Sequence, residues 1–222
     1  FDYFAQKVRS NHQGGVDFEI VITKKEDPGT VQISLQLPGE HNVLNALGAF
    51  AVADQIGLNK EKSASALGNF IGSERRFDIR GDFKGVTLID DYAHHPTEIK
   101  ATLAAARTIY SDRRIWAVWQ PHTYSRTETL FAGFTEAFSE ADKTIILDVF
   151  AAREEKPEGF KIIDLVNLIN NSDARYIPDK NEAAAYLLRE LVPGDVLLVF
   201  TAGDAIEIND ELERNMSAEY VN

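Results

Sequence analysis

The fold of this chain is decided by the stretch Val86-Thr87-Leu88-Ile89-Asp90-Asp91-Tyr92-Ala93-His94-His95-Pro96-Thr97-Glu98. Its first four residues are apolar or β-branched and follow a glycine, which predicts a buried strand. From Pro96 the apolar residues recur at helical spacing, with His95 or Thr97 as the candidate cap. A polar cluster therefore lies between a strand end and a helix start, where open α/β sheets bind their ligands. The alternative is a helix-entry loop that is polar but binds nothing.

Strand and helix patterns alternate from residue 77 onward. The strands are predicted at 77–83, 86–90, 114–119, 143–148, 174–177 and 196–200, and the helices at about 96–110, 125–140, 161–170 and 180–191, with a short helix after 204. The first two strands form an antiparallel hairpin across Lys84-Gly85. Such alternation predicts a doubly wound, mainly parallel sheet with flanking helices, in which the strand ends share one edge.

Residues 1–73 show a different pattern. Alternating apolar residues over 16–22 and 31–37 predict a β-hairpin, whereas residues 1–8 fit either a strand or a helix. An Ala- and Leu-rich helix follows Pro38-Gly39, and a second short helix covers 59–70. The composition changes near Ser73, so we expect two domains, 1–73 and 74–222.

Composition limits the classes of function. The net charge of −12 argues against a general nucleic-acid binder, although a nucleotide needs only a local positive pocket. No apolar run approaches the roughly 20 residues of a membrane span, and no signal peptide opens the sequence. The absence of Cys suits a reducing cytoplasm. The first residue is Phe1 rather than Met, which suggests a piece of a longer protein.

Two of the loops that follow predicted strands carry candidate site residues. His122 and Arg126 follow the third strand of the second domain and share an edge with His94. Together they form a candidate pocket for an anionic substrate, since a guanidinium can take both oxygens of a carboxylate. Taken separately, His122 could be a buried imidazole with its hydrogen bonds satisfied, and Arg126 could be a charge on a helix surface. Arg153 on the next loop is a rival, but the neighbouring Glu154 and Glu155 would repel a carboxylate or neutralise the arginine.

Asn42 and Asn45 lie three residues apart, which places both amides on one face of the first turn of a helix. Each amide offers a donor and an acceptor and can read the edge of a nucleobase. For Asn42 the alternative is a helix N-cap.

Several of these motifs together resemble the Mur ligases. They are GEHNVLN at 39–45, RF at 76–77, DDYAHHPTEIKATLAAAR at 90–107, QPHTYSR at 120–126 and LDVFAAREE at 147–155. The resemblance covers nearly the whole chain and corresponds to the end of the central ATP-binding domain plus the C-terminal domain. TAGD at 201–204 departs from the family's GAGD by losing its first Gly, which weakens the prediction of a turn there.

The resemblance implies an ATP-dependent ligase of peptidoglycan synthesis, and so a part in cell-wall biogenesis, cell shape and division. ATP and Mg²⁺ would activate the carboxylate of UDP-N-acetylmuramate, and L-alanine would attack the acyl phosphate. The implied nucleotide-binding residues are Asn42, Asn45, Arg76 and Asp91, and the implied substrate-binding residues are Tyr92, His94, His122 and Arg126. His94 is the candidate base that keeps the amine neutral, because only the neutral amine is a nucleophile. Asp91 is the other candidate catalytic residue, and the turn geometry predicts that it contacts the ribose or holds the domain hinge.

The triphosphate cradle of such a ligase is missing here. The dipeptide Gly-Lys, which a P-loop requires, does not occur. We therefore expect the Mg²⁺ ligands to lie upstream, no metal site in this chain, and no activity of this chain alone. Two alternatives stay open: a ligase that recycles murein tripeptides, and a nucleotide-binding module without catalysis, because fold does not settle function.

Overall fold

The structure, a computed structural model, describes residues 2–170 and 173–217, and the chain divides into two compact units, Phe1–Gly72 and Ser73–Asn222. The first unit has the elements β1 (Tyr3–Ser10), β2 (Val16–Ile22), β3 (Gly29–Leu35), α1 (Glu40–Gln55) and α2 (Lys60–Gly68). The strands form an antiparallel sheet in that order, so the undecided N-terminal segment is a strand. Alternate residues of β2, including Phe18 and Ile20, are buried with Phe50 of α1.

The second unit is a six-stranded sheet with helices on both faces. Its elements are β4 (Asp78–Phe83), β5 (Val86–Asp91), α3 (Pro96–Ile109), β6 (Ile115–Trp119), α4 (Tyr124–Thr129), α5 (Phe131–Glu136), β7 (Lys143–Ile146), α6 (Ile162–Val166), β8 (Ala174–Tyr176), α7 (Lys180–Glu190), β9 (Val196–Phe200) and α8 (Glu207–Ser217). The strand order is β4-β5-β9-β6-β7-β8, and among these described strands only the pairing of β4 with β5 is antiparallel. The predicted doubly wound, mainly parallel fold is confirmed.

The strands β5, β6 and β9 form the buried centre of the second sheet. Every residue of β5, β6 and β9 is buried, as expected for strands covered on both faces. One face packs against a core that includes residues of α3, α5 and α6, and the other against a core that includes residues of α7 and α8.

Several predicted element bounds were wrong. The helix predicted at 161–170 covers only Ile162–Val166, and the strand predicted at 143–148 ends at Ile146. The single helix predicted over 125–140 is two short helices, because Leu130 leaves helical dihedral angles (φ −104°, ψ 17°). Beyond this kink Gly133 lies against the first turn of α3, where a Cβ would be 2.8 Å from Pro96 Cγ. The second strand of the hairpin begins at Gly29 rather than 31, since Gly29 pairs with Ile22 across the ladder.

Candidate functional site

The loops that carry the candidate residues begin side by side at one edge of the second sheet. Asp91, at the end of β5, and Trp119, at the end of β6, both pair with Phe200, at the end of β9. Three loops therefore leave the sheet at one level: residues 92–95, 120–123 and 201–204.

The loop after β5 is fixed by the start of α3. His95 is the N-cap, and its Nδ1 accepts a hydrogen bond from the Thr97 N–H at 3.3 Å. The Glu98 carboxylate accepts from the N–H groups of His94 and His95, which completes a capping box. His94 Nδ1 lies 3.0 Å from the carbonyl of Tyr92. A carbonyl only accepts, so Nδ1 carries a proton, and the lone pair of the neutral ring is then on Nε2.

His122 and Arg126 form a pair on the loop after β6. Arg126 Nη1 lies 3.1 Å from His122 Nδ1. Since a guanidinium only donates, His122 accepts this bond as a neutral imidazole with its proton on Nε2. Burial, Arg126 and His94 together lower the pKa of His122, which is consistent with the neutral form. The ring centroids of His94 and His122 are 6.0 Å apart, so the structure brings these three candidate residues together.

The loop after β7 supports this pair. Phe150 stacks on His122 with ring centroids 5.8 Å apart, and its carbonyl accepts from the Thr123 N–H at 3.0 Å. Glu154 does not act as the partner of Arg153 that the sequence suggested. Instead, its carboxylate accepts from both the N–H and the hydroxyl of Ser125, which lowers the pKa of Glu154. Arg153 itself is exposed.

Asp91 is buried, with 3% of its surface exposed. Its carboxylate accepts from the N–H groups of Phe77 (2.9 Å) and Ala93 (2.7 Å) and from the hydroxyl of Thr102 (3.4 Å). Burial raises the pKa of Asp91, and these hydrogen bonds oppose that rise. Asp91 therefore holds the segment before β4 and the turn after β5 within the second unit. Its contact with a ribose and its role at a domain hinge stay predictions.

Arg75 is a residue that sequence reasoning missed. Its Nη2 donates to the carbonyl of Thr201 at 2.6 Å, and its guanidinium lies over the ring of Tyr92 at 5.0 Å. Arg76, the predicted nucleotide-binding residue, also lies over this ring at 5.5 Å and contacts Glu98 at 3.5 Å. Tyr92 is 36% exposed, and its ring makes an edge contact with His94. Arg75 and Arg76 are adjacent in the sequence, but the position of Arg75 depends on Thr201, which is more than a hundred residues away.

Of the predicted amides of the first unit, Asn42 lies on the first turn of α1 and Asn45 on the second, so the placement of both on the first turn was wrong. The helix begins one residue after Gly39, so the alternative of Asn42 as the N-cap was wrong. The Asn42 side chain instead donates to the carbonyl of Pro38 at 2.8 Å. Asn45 is exposed, and its amide nitrogen lies 3.4 Å from Asn42 Oδ1.

The turn at 201–204 does not need the glycine that it lacks. Thr201 is buried and has no positive φ, and its hydroxyl donates to Gln120 Oε1 at 2.6 Å and accepts from the Gly203 N–H at 2.9 Å. The glycine that matters is Gly203, where a Cβ would meet Gln120 Oε1 at 2.5 Å and the Phe150 ring at 2.6 Å. The departure from the family motif therefore does not weaken this turn.

Within residues 2–170 and 173–217, no group of three or more His, Asp or Glu side chains is arranged to hold a metal ion. In the same described part of the chain, no helix is long and apolar enough to cross a membrane.

The comparison with known families identifies the class of protein. The Mur ligase, glutamate ligase domain family matches residues 75–203. The chain belongs to the Mur ligase family, which confirms the resemblance seen in the motifs.

Within this family, the chain is similar to enzymes named UDP-N-acetylmuramate–L-alanine ligase. The chain is 41% identical to UDP-N-acetylmuramate–L-alanine ligase of Lachnoclostridium phytofermentans over 214 residues, which are 96% of this chain and 45% of that protein. It is 40% identical to the enzyme of the same name from Caldanaerobacter subterraneus subsp. tengcongensis, over 96% of this chain and 46% of that protein. The chain thus spans slightly less than half the length of these relatives.

Solved structures give a similar result. The crystal structure of UDP-N-acetylmuramate–alanine ligase from Thermotoga maritima matches with a TM-score of 0.75 and 26% identity, over 98% of this chain and 46% of that one. A murein peptide ligase from Psychrobacter arcticus 273-4 matches with a TM-score of 0.66 and 25% identity, over 95% and 43%.

Proposed function

We propose that this chain is the C-terminal portion of an ATP-dependent ligase that joins L-alanine to UDP-N-acetylmuramate during peptidoglycan synthesis in the bacterial cytoplasm. The observation that carries the proposal is the cluster of His94, His122 and Arg126 at the strand ends. ATP would phosphorylate the muramoyl carboxylate, and the amine of L-alanine would attack the resulting acyl phosphate and release inorganic phosphate.

Arg126 receives the carboxylate of the incoming L-alanine in this proposal. That carboxylate takes no part in the new bond, so holding it fixes the direction of the amine, and orientation is a large part of the barrier. Arg126 Nη1 is held by His122, which leaves other N–H groups of the guanidinium for the two carboxylate oxygens. His122 is neutral and its Nε2–H is a donor, so it adds a hydrogen bond without placing a second cation in the pocket.

His94 takes the proton from the amine. Its Nδ1 donates to a backbone carbonyl, so the lone pair for this task is on Nε2. Tyr92, whose ring makes an edge contact with His94, lines the amino-acid side.

The nucleotide roles are assigned separately for each unit. In the first unit, which we propose to be the C-terminal part of the ATP-binding domain (1–73), Asn42 and Asn45 read the adenine edge. In the C-terminal domain (74–222), Arg76 contacts ribose or phosphate oxygens, and Asp91 fixes the backbone on either side of β4 and β5.

A second candidate is a ligase that takes a murein tripeptide as its amine substrate, and the similarity to a murein peptide ligase favours it. The two differ at one group: free L-alanine has a carboxylate beside its amine, whereas a peptide has an amide there. The pairing of Arg126 with a neutral imidazole favours the carboxylate.

The test is ATP-dependent phosphate release by the full-length protein, with UDP-N-acetylmuramate and L-alanine each omitted in turn and with the tripeptide replacing L-alanine in a parallel arm. We expect release only with all three substrates and a preference for L-alanine. Preference for the tripeptide would establish the second candidate, and no release with either amine would leave a nucleotide-binding module.

A further inference from the structure

Glu154 connects two loops that both approach the cluster of His94, His122 and Arg126. It lies on the loop between β7 and α6, and its carboxylate accepts from the N–H of Ser125 at 2.9 Å and from the Ser125 hydroxyl. Ser125 is the second residue of α4, one position before Arg126. The two loops are also joined by backbone hydrogen bonds, from Thr123 N–H to the Phe150 carbonyl and from Phe150 N–H to the Pro121 carbonyl.

The start of α4 needs such support. The helix has six residues, too few to be stable by itself. Its N-cap, Thr123, has φ 65° and ψ 145°, a strained conformation for a β-branched residue. The Thr123 hydroxyl accepts from the Arg126 N–H at a long 3.4 Å, which is a weak cap. Glu154 strengthens this weak cap in two ways. Its carboxylate accepts from the Ser125 N–H, which has no partner within the helix, and it places a negative charge at the helix N-terminus.

The direction of Arg126 depends on that first turn. Its backbone lies within the turn, and its side chain reaches back over one turn to His122. A change in the first turn of α4 would therefore move the guanidinium away from His122 and away from any carboxylate held in the cluster.

We propose that Glu154 is a positioning residue that holds the first turn of α4 and thereby aims Arg126 at the carboxylate of the amine substrate. This inference rests on the proposed function of Arg126. Glu154 is not a substrate ligand, because both its oxygens are engaged by Ser125 and its charge would repel a carboxylate.

The test compares Glu154→Ala, Glu154→Gln and the control Glu155→Ala in the full-length protein, by steady-state phosphate release. Glu154→Ala should raise the KM for L-alanine about tenfold and leave the KM for ATP unchanged, since a hydrogen bond to a charged group is lost. Glu154→Gln should restore most of the affinity, because its amide oxygen still accepts from the Ser125 N–H. Glu155→Ala, an exposed neighbour, should match the wild type.

A double-mutant cycle separates positioning from an independent effect. If Glu154 acts through Arg126, adding Glu154→Ala to Arg126→Lys should change the KM for L-alanine less than twofold further. A full tenfold additional loss would overturn the inference, as would an equal rise in the KM for ATP. If Glu154→Ala does not fold, Glu154→Asp decides: it keeps the charge but its shorter side chain withdraws the carboxylate from Ser125, and an unchanged KM for L-alanine would overturn the inference.

Failure of the inference differs from failure of the proposed function. A wild-type protein that shows no phosphate release dependent on L-alanine contradicts the proposed function. An active wild type with an unaffected Glu154→Ala variant contradicts only the role of Glu154.

Discussion

Replacing Arg126 by Lys is the most direct test of the candidate site. The substitution keeps the positive charge but removes the planar group that holds His122 and can take two carboxylate oxygens at once. An ammonium is a single point charge, so it can pair with His122 or with a carboxylate, but it cannot reproduce the fork geometry. The half-buried position of Arg126 limits compensation by water.

The size of the effect follows from the bonds that are lost. A hydrogen bond between charged groups contributes about 1.5–3 kcal/mol. Since about 1.4 kcal/mol corresponds to a factor of ten, the loss of one such bond weakens binding by roughly ten- to hundredfold. We expect the KM for L-alanine to rise by that factor and the KM for ATP to stay unchanged.

The assay is phosphate release by the full-length protein with L-alanine varied at saturating ATP and UDP-N-acetylmuramate. The matched control is Arg153→Lys, which makes the same chemical change at an exposed arginine on the neighbouring loop. The reasoning is refuted if Arg126→Lys leaves the KM for L-alanine unchanged, or if Arg153→Lys raises it equally.

Three further predictions concern the chain itself. The purified 222-residue chain should release no phosphate with all substrates present, because it has no P-loop sequence; turnover by a preparation free of full-length protein would contradict this. Gly203→Ala should destabilise the protein by about 1–3 kcal/mol because the new Cβ would lie 2.6 Å from the Phe150 ring, whereas Gly48→Ala has open space and should not lower the melting temperature. Arg80→Met should cost about 3–5 kcal/mol, because Asp90 is buried and would lose its cation. Burial already raises the pKa of Asp90, so protonation relieves the unpaired charge, and the measured loss relative to wild type should be smaller at pH 4 than at pH 7.

The bounds of an element could be predicted from the sequence where a local pattern of residues determines them. The buried strand ending at Asp91, the helix start at Pro96 and the strand 196–200 were predicted to within a residue, because continuous apolar runs and capping residues are local signals. The kink at Leu130 was not predicted, since residues 125–140 show the pattern of one continuous helix.

For the candidate site too, some residues could be predicted from the sequence and others could not. His94, His122 and Arg126 were expected at one edge from strand topology alone, and the structure brings them together. Arg75 and Glu154 were missed because their roles come from contacts with Thr201 and Ser125, which are distant in sequence. The alternative of Asn42 as a helix N-cap was wrong because α1 begins at Glu40, ahead of the apolar pattern that marked the helix.

The place of β9 in the sheet has a consequence for how the protein is made. This strand lies between β5 and β6: Val196 pairs with Thr87, 109 residues earlier, and with Ile115, 81 residues earlier. In the described part of the chain β5 and β6 do not pair directly with each other. The nascent second unit can therefore build its edges but not its centre until Phe200 has left the ribosome tunnel. Pairing over so long a stretch of chain is slow and leaves strand edges exposed meanwhile. A chain that stops before Val196 would lack the middle of both hydrophobic layers, so early termination should yield an aggregating product rather than a smaller folded domain.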